Sequence, residues 1–188
     1  MDEVMDNILS RRSVRMYQDR PVPKEIIEKL IRAGVAAPTG GNAQAWRFVV
    51  VQDEATRKKL AELSVPRVDK WVEKYSNEEF KALRRRLAPR GIDTTYYGAP
   101  VIIFVIGRGN TAPFDCSMAC ENMMLAARSM GIGSCWVFFG QLVIDDPGVR
   151  EMLELKEGEN VYGPVIFGYP KGDFPKAPPK NEPVVKWV

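Results

Sequence analysis

Apolar residues recur along this chain with two alternating periods. Val4, Met5, Ile8 and Leu9 fall on one face of a helix, with Asp2 and Glu3 at its positive N-terminal end. Past Pro21 and Pro23, Ile26, Ile27, Leu30 and Ile31 mark a second amphipathic helix, which the stretch from Gly34 to Pro38 should end. Thr39-Gly40-Gly41-Asn42 is a loop by composition. Trp46 to Val51 is short, β-branched and aromatic, so it reads as a buried strand. A helix capped by Asp53 and carrying Leu60 and Leu63 follows it.

Residues 65–97 are richer in charge. Ser76 and Glu79 have the spacing of a capping box ahead of Phe80, Leu83 and Leu87, which predicts a helical excursion from the core, or lid. Pro100 to Ile106 is an almost continuous apolar run, as expected of a strand covered on both faces. Asp115 then starts the clearest helix: Cys116, Ala119, Cys120, Met123, Met124, Ala127 and Met130 keep the 3.6-residue period, and Gly131 stands at its C-cap. Ser134 to Phe139 reads as a strand, Asp146-Pro147 as a helix start and Val161 to Tyr169 as the last strand. The tail, 170–188, is proline-rich yet ends in Val184, Val185, Trp187 and Val188, so it should wrap onto something, such as a second subunit. Alternating helices and strands of this kind build a two- or three-layer mixed fold.

At 188 residues, with 45% hydrophobic and 27% charged positions, the chain reads as one domain, 1–188, able to bury its own core. A net charge of +3 is too small to argue for a nucleic-acid partner, and no apolar run is long enough for a membrane span. Cys116, Cys120 and Cys135 form an odd set without framework spacing, which points to a reducing compartment, and a cytoplasmic location is expected. The chain has no histidine, which excludes His-dependent triads and His-ligated metals; no metal site is expected.

Chemistry concentrates in three places. Arg11-Arg12-Ser13-Val14-Arg15 sets three guanidinium forks and a hydroxyl within five residues; it suits a phosphate monoester, and equally a solvated basic patch or, third, a nucleic-acid patch. Pro38-Thr39-Gly40-Gly41-Asn42-Ala43-Gln44-Ala45-Trp46 carries two carboxamides able to read the edge of a heterocycle, or else to satisfy their own turn. Gly131-Ile132-Gly133-Ser134-Cys135-Trp136 lets backbone approach a ligand, or simply caps a helix before a core strand. It lacks the strand-first context of a dinucleotide fingerprint. Arg84-Arg85-Arg86 reads as a solvated helix face. Trp71, Tyr75, Tyr96 and Tyr97 read as packing groups, or as stackers over a planar substrate.

In this order, and with Tyr97-Gly98-Ala99-Pro100 and Gly168-Tyr169-Pro170, these motifs resemble the short members of the nitroreductase family of FMN-dependent oxidoreductases. The resemblance implies an α+β fold with a central, mostly antiparallel sheet surrounded by helices, and a homodimer with FMN at the interface and the tail reaching the partner. It implies that Arg11, Arg12, Ser13 and Arg15 bind the flavin phosphate, and that Pro38, Thr39, Asn42 and Gln44 reach the flavin of the other subunit. Backbone at Trp136, Val137 and Phe138 would lie near flavin N5, and Lys180, where the family commonly has arginine, would add a phosphate contact. Phe138 and Phe139 replace the small residues common there, and Ala45 replaces a proline.

The implied activity is hydride transfer from NAD(P)H to FMN and then to a small planar acceptor such as a nitroaromatic or quinone, by a ping-pong mechanism without a protein nucleophile. Dehalogenation or substrate oxidation at the same flavin, a non-catalytic FMN carrier, and an anionic-partner module built on the arginines remain as alternatives at this stage.

Overall fold

The computed structural model describes residues 2–87 and 93–188. Its elements are α1 (Glu3–Ser10), α2 (Lys24–Val35), β1 (Trp46–Val51), α3 (Glu54–Tyr75), α4 (Glu78–Leu87), β2 (Val101–Arg108), α5 (Ala112–Ser129), β3 (Gly133–Trp136), α6 (Pro147–Met152), β4 (Glu159–Val161) and β5 (Val165–Gly168). The strands form one antiparallel sheet in the order β1-β2-β5-β3. Trp46 faces Gly107 and Val51 faces Ile102 along one edge of β2; β5 and β4 share its other edge, with Ile102 opposite Ile166 and Ile106 opposite Val161.

The continuous apolar run of β2 has its expected cause: both faces of the strand are covered. Val101, Ile103 and Val105 pack with Ile27 and Leu30 of α2 and with Cys120 and Met123 of α5. Ile102, Phe104 and Ile106 face the other way, onto Leu60 of α3, Tyr96, Val149 and Leu153. The sheet is therefore the middle of three layers, and the antiparallel α+β architecture is as expected.

Several boundaries differ from the pattern in the sequence. α3 does not stop near residue 65 but continues through Pro66 to Tyr75, because Leu60, Ser64, Val68 and Val72 keep one buried face at four-residue spacing. The excursion is thus partly a continuation of a core helix, and its residues 88–92 lie outside the described ones. The cap of α4 is Asn77, whose Oδ1 accepts the Phe80 amide at 2.9 Å, instead of the Ser76 and Glu79 pair. α5 starts at Ala112, before Asp115, whose carboxylate is used elsewhere. The strand from Ser134 ends at Trp136, and Phe138–Val143 is a 3₁₀ turn; Gly140 there lies so close to Pro164 that a Cβ would meet its Cγ at 2.5 Å. Pro164, with no amide to donate, divides the run from Val161 to Tyr169 into β4 and β5.

Two apolar faces stay open. Val4, Met5, Ile8 and Leu9 of α1 are exposed, as are Val184, Val185, Trp187 and Val188 in the tail. No helix among the described residues is long and apolar enough to cross a membrane.

A forked ion pair reaches across β2 from β1 to β4. Arg47 Nε donates to Glu159 Oε1 at 2.9 Å and Arg47 Nη2 to Oε2 at 2.6 Å, and the Lys156 amide donates to Oε2 at 3.0 Å. These contacts, the Arg47 bonds foremost, outweigh desolvation and hold the Glu159 carboxyl at about 2 against an ordinary 4.5. A depressed carboxylate stabilises the fold above its unfolded value and loses that contribution as pH falls toward its folded one. The thermal midpoint of Glu159→Gln should therefore lie below wild type at pH 7 and converge with it between about pH 4.5 and 2. A gap that stays constant over that range would contradict this role.

Candidate functional site

The arginine segment is attached to the sheet rather than trailing from α1. The Val14 amide donates to the Ser134 carbonyl at 2.9 Å, Ser13 bridges Ser134 in parallel, and Gln18 donates to Tyr169. Val14 is buried, so its neighbours Ser13 and Arg15 are turned the other way by the alternation of an extended chain. This contact requires Gly133: a Cβ there would stand 2.8–2.9 Å from the Val14 side chain.

The three arginines differ in their commitments. Arg12 Nη1 donates to the carbonyls of Leu9 at 2.7 Å and Arg11 at 2.6 Å, satisfying the C-terminal end of α1, while its Nε is buried without a partner among the described residues. Arg11 Nε lies 3.3 Å from Glu121 Oε1, in a partly exposed pair. Arg15 has no ion pair among the described residues, and its guanidinium sits 5.8 Å from the Tyr97 ring centre. Together with Ser13, Lys176 and Lys180, the three line a cavity of about 660 Å³ with no acidic side chain among the described residues of its wall.

A second cavity, of about 520 Å³, opens beyond Arg15. Its floor is Cys135, Trp136, Val137 and Phe138, where β3 ends, and its roof is aromatic. Trp71 of α3 meets the rings of Phe138 and Phe139 edge-on, with centres 5.2 and 5.6 Å away, and Phe80 of α4 lies 6.5 Å from Phe139. Arg84, expected on a solvated face with Arg85 and Arg86, is instead buried, and its Nε donates to Asp69 Oδ1 at 2.6 Å, tying α4 to α3. The Trp136 indole donates to the Tyr162 carbonyl at 2.8 Å, and the Val137 amide to Pro164 at 3.0 Å, so the floor is internally fixed. Burial pushes the Cys135 thiol up, against the pull of Arg15 and a bond from Ser13, and burial likewise raises Tyr17 and Tyr97. None of these is poised as a nucleophile at neutral pH.

The third expected element stands apart. Pro38, Thr39, Asn42 and Gln44 line neither cavity within one chain. Gly41, Asn42 and Gln44 have φ of 59°, 54° and 48°. The Gln44 amide donates to Thr39 Oγ1 at 3.2 Å, Gln44 Nε2 to Asn42 Oδ1 at 3.1 Å, and the Gly40 amide to Asp115 Oδ1 at 3.1 Å.

One cavity thus gathers Arg11, Arg12, Ser13, Arg15 and Lys180, and the other gathers Arg15, Trp136, Val137 and Phe138. Lys176 and Phe80 are lining residues that the sequence does not mark, because their proline-rich and charged contexts carry no period that identifies a wall. No cluster of three metal-ligating side chains occurs among the described residues.

Residues 8–169 match the pattern of the nitroreductase family. The chain is 32% identical over 190 residues to a protein of Archaeoglobus fulgidus provisionally named NADH dehydrogenase/NAD(P)H nitroreductase, across 97% of this chain and 95% of that one. It resembles the crystal structure of a nitroreductase with bound FMN from Bacteroides fragilis, at 33% identity, a TM-score of 0.75 and full coverage of both chains. A second FMN-bound nitroreductase structure, from Desulfitobacterium hafniense, is 26% identical with a TM-score of 0.76, over 99% of this chain and 100% of that one.

Proposed function

This chain belongs to the nitroreductase family, and from that premise we propose that it is an FMN-dependent oxidoreductase that takes hydride from NAD(P)H and reduces a flat acceptor such as a nitroaromatic or quinone. The observation that carries the placement of the flavin is that Arg15 lines both cavities. A cofactor with a phosphate at one end and a planar ring at the other would follow that route.

The residues present fit such a group. The first cavity offers guanidinium forks, a hydroxyl and two lysines, with Glu121 on Arg11 as a partly exposed carboxylate partner, and the buried Arg12 Nε lacks an acceptor that a phosphate oxygen could supply. The second offers a floor and an aromatic roof suited to flat rings. Bound there, FMN supplies the two-electron chemistry. Arg11, Arg12, Ser13, Arg15 and Lys180 would hold its phosphate, and Trp136, Val137 and Phe138 would line the place of its ring. Trp71, Phe80 and Phe139 exclude water above the site and orient one flat molecule at a time.

Nicotinamide and acceptor would both use the cavity lined by Trp136, Val137 and Phe138 and so take turns there, which is the basis for the ping-pong order. Two copies of the chain would cover the open faces of α1 and the tail and carry Pro38, Thr39, Asn42 and Gln44 to each other's flavin, so a homodimer of one-domain chains, 1–188, completes the site. Three free, buried cysteines accord with a cytoplasmic setting.

Steady-state rates measured at several fixed acceptor concentrations, with 1,4-benzoquinone or nitrobenzene, should give parallel double-reciprocal lines against NADH or NADPH. Intersecting lines would contradict alternation at one cavity.

A further inference from the structure

Asp115 has no role in the phosphate or aromatic cavities, yet it is a carboxylate only 5% exposed inside an otherwise apolar helix face. Both its oxygens are engaged. Oδ2 accepts the Thr111 hydroxyl at 2.8 Å, and Oδ1 accepts the Gly40 amide at 3.1 Å, across 75 residues of sequence. Thr111 stands at the N-cap position of α5 but makes no cap bond of its own; its hydroxyl orients the carboxylate instead. The first turn of α5 stabilises a negative charge there.

The segment this carboxylate holds has an unfavourable backbone. Asn42 and Gln44 bear a Cβ at φ of 54° and 48°, beside Gly41 at 59°. Such a conformation persists where the surroundings over-determine it. Gly40 is pressed onto the start of α5 so closely that a Cβ would meet Thr111 Cγ2 at 2.7 Å. Gly40 therefore anchors the loop on the start of α5, and its carboxamides, paired with each other and exposed, follow that anchor.

We propose that Asp115 is a positioning residue for the flavin ring, fixing the 38–44 loop from the buried helix so that Asn42 and Gln44 present their amides to the ring's polar edge. The inference rests on the flavin reading above. It assigns to α5 a part in setting cofactor affinity at the ring, separate from Arg11 and Arg12, which line only the phosphate cavity.

Riboflavin, which has the ring but no phosphate, separates the two. Dissociation constants of FMN and of riboflavin are measured by fluorescence on the flavin-stripped full-length dimer. Asp115→Ala should weaken both flavins by the same factor, about tenfold for the loss of a charge-assisted anchor. Asp115→Asn, which can still accept from Gly40 and donate to Thr111, should stay near wild type. Arg11→Ala, at a residue that lines the phosphate cavity and not the aromatic one, should weaken FMN alone. Unchanged affinities in Asp115→Ala, or a loss confined to FMN, would overturn the proposal.

If Asp115→Ala fails to fold, Thr111→Val carries the test. It removes only the orienting bond and should weaken both flavins about threefold; no change would overturn the proposal. Asn42→Ala should also weaken riboflavin, and its failure to do so alongside a weakened Asp115→Ala would overturn the loop contact on which the proposal depends. A wild-type dimer that binds neither flavin would instead sink the functional reading itself.

Discussion

Replacing Arg11 and Arg15 together by alanine is expected to give a folded protein that purifies nearly free of FMN. Each guanidinium would make a charge-assisted bond to phosphate worth about 1.5–3 kcal/mol, so the pair corresponds to roughly a hundredfold to ten-thousandfold loss of affinity. Stability should change little, because Arg15 has no ion pair among the described residues and the Arg11–Glu121 contact is partly exposed, a class of pair worth about 0–1 kcal/mol. Arg12 is left in place deliberately: its bonds to Leu9 and Arg11 close the end of α1, and removing it would mix a folding defect with a binding one. FMN released on denaturation and counted per chain is the measurement. Wild-type content in the double variant would refute the phosphate assignment.

Gly133→Val should have the second largest effect, through packing. Its new Cβ would enter the 2.8–2.9 Å space beside Val14, where nothing can yield without shifting the 13–15 segment away from Ser134. Overpacking of this kind costs about 1–3 kcal/mol, or roughly 2–12 °C of thermal midpoint at this chain length. Because the displaced segment carries Ser13 and Arg15, FMN retention should fall with stability. Gly131→Ala provides the contrast. Its φ of 72° makes a Cβ strained, but nothing lies within 4 Å of it, so a loss of about 1–2 kcal/mol should leave flavin binding intact. Equal flavin loss in both variants would mean that Gly133 acts only through global stability.

Where burial follows a single period, the sequence is informative. Leu30, Phe104, Met123 and Ile106 all lie in the core that their spacing predicts. Legibility fails where one residue serves a distant partner. Asp115 looks like a helix start, and only the fold brings Gly40 to its oxygen. Arg84 looks like a member of a solvated run, and only the packing of α4 on α3 turns it toward Asp69. The same limit applies to the arginine cluster, which by spacing alone suits a phosphate or water equally. Its attachment to β3 and the different bonds of Arg11, Arg12 and Arg15 are tertiary facts. The aromatic roof is legible in part: Trp71, Phe138 and Phe139 stand out as rings, but Phe80 sits on a helix whose charged positions dominate the pattern, and only the fold brings these distant rings together.

Anaerobic addition of NADH or NADPH to the purified protein tests the FMN-dependent function most directly. The protein should be yellow, with about one FMN per chain, and one equivalent of at least one of the two donors should bleach its visible absorbance. Addition of 1,4-benzoquinone should then restore the colour. A colourless protein that does not take up FMN, or a yellow one that neither donor bleaches, would contradict it.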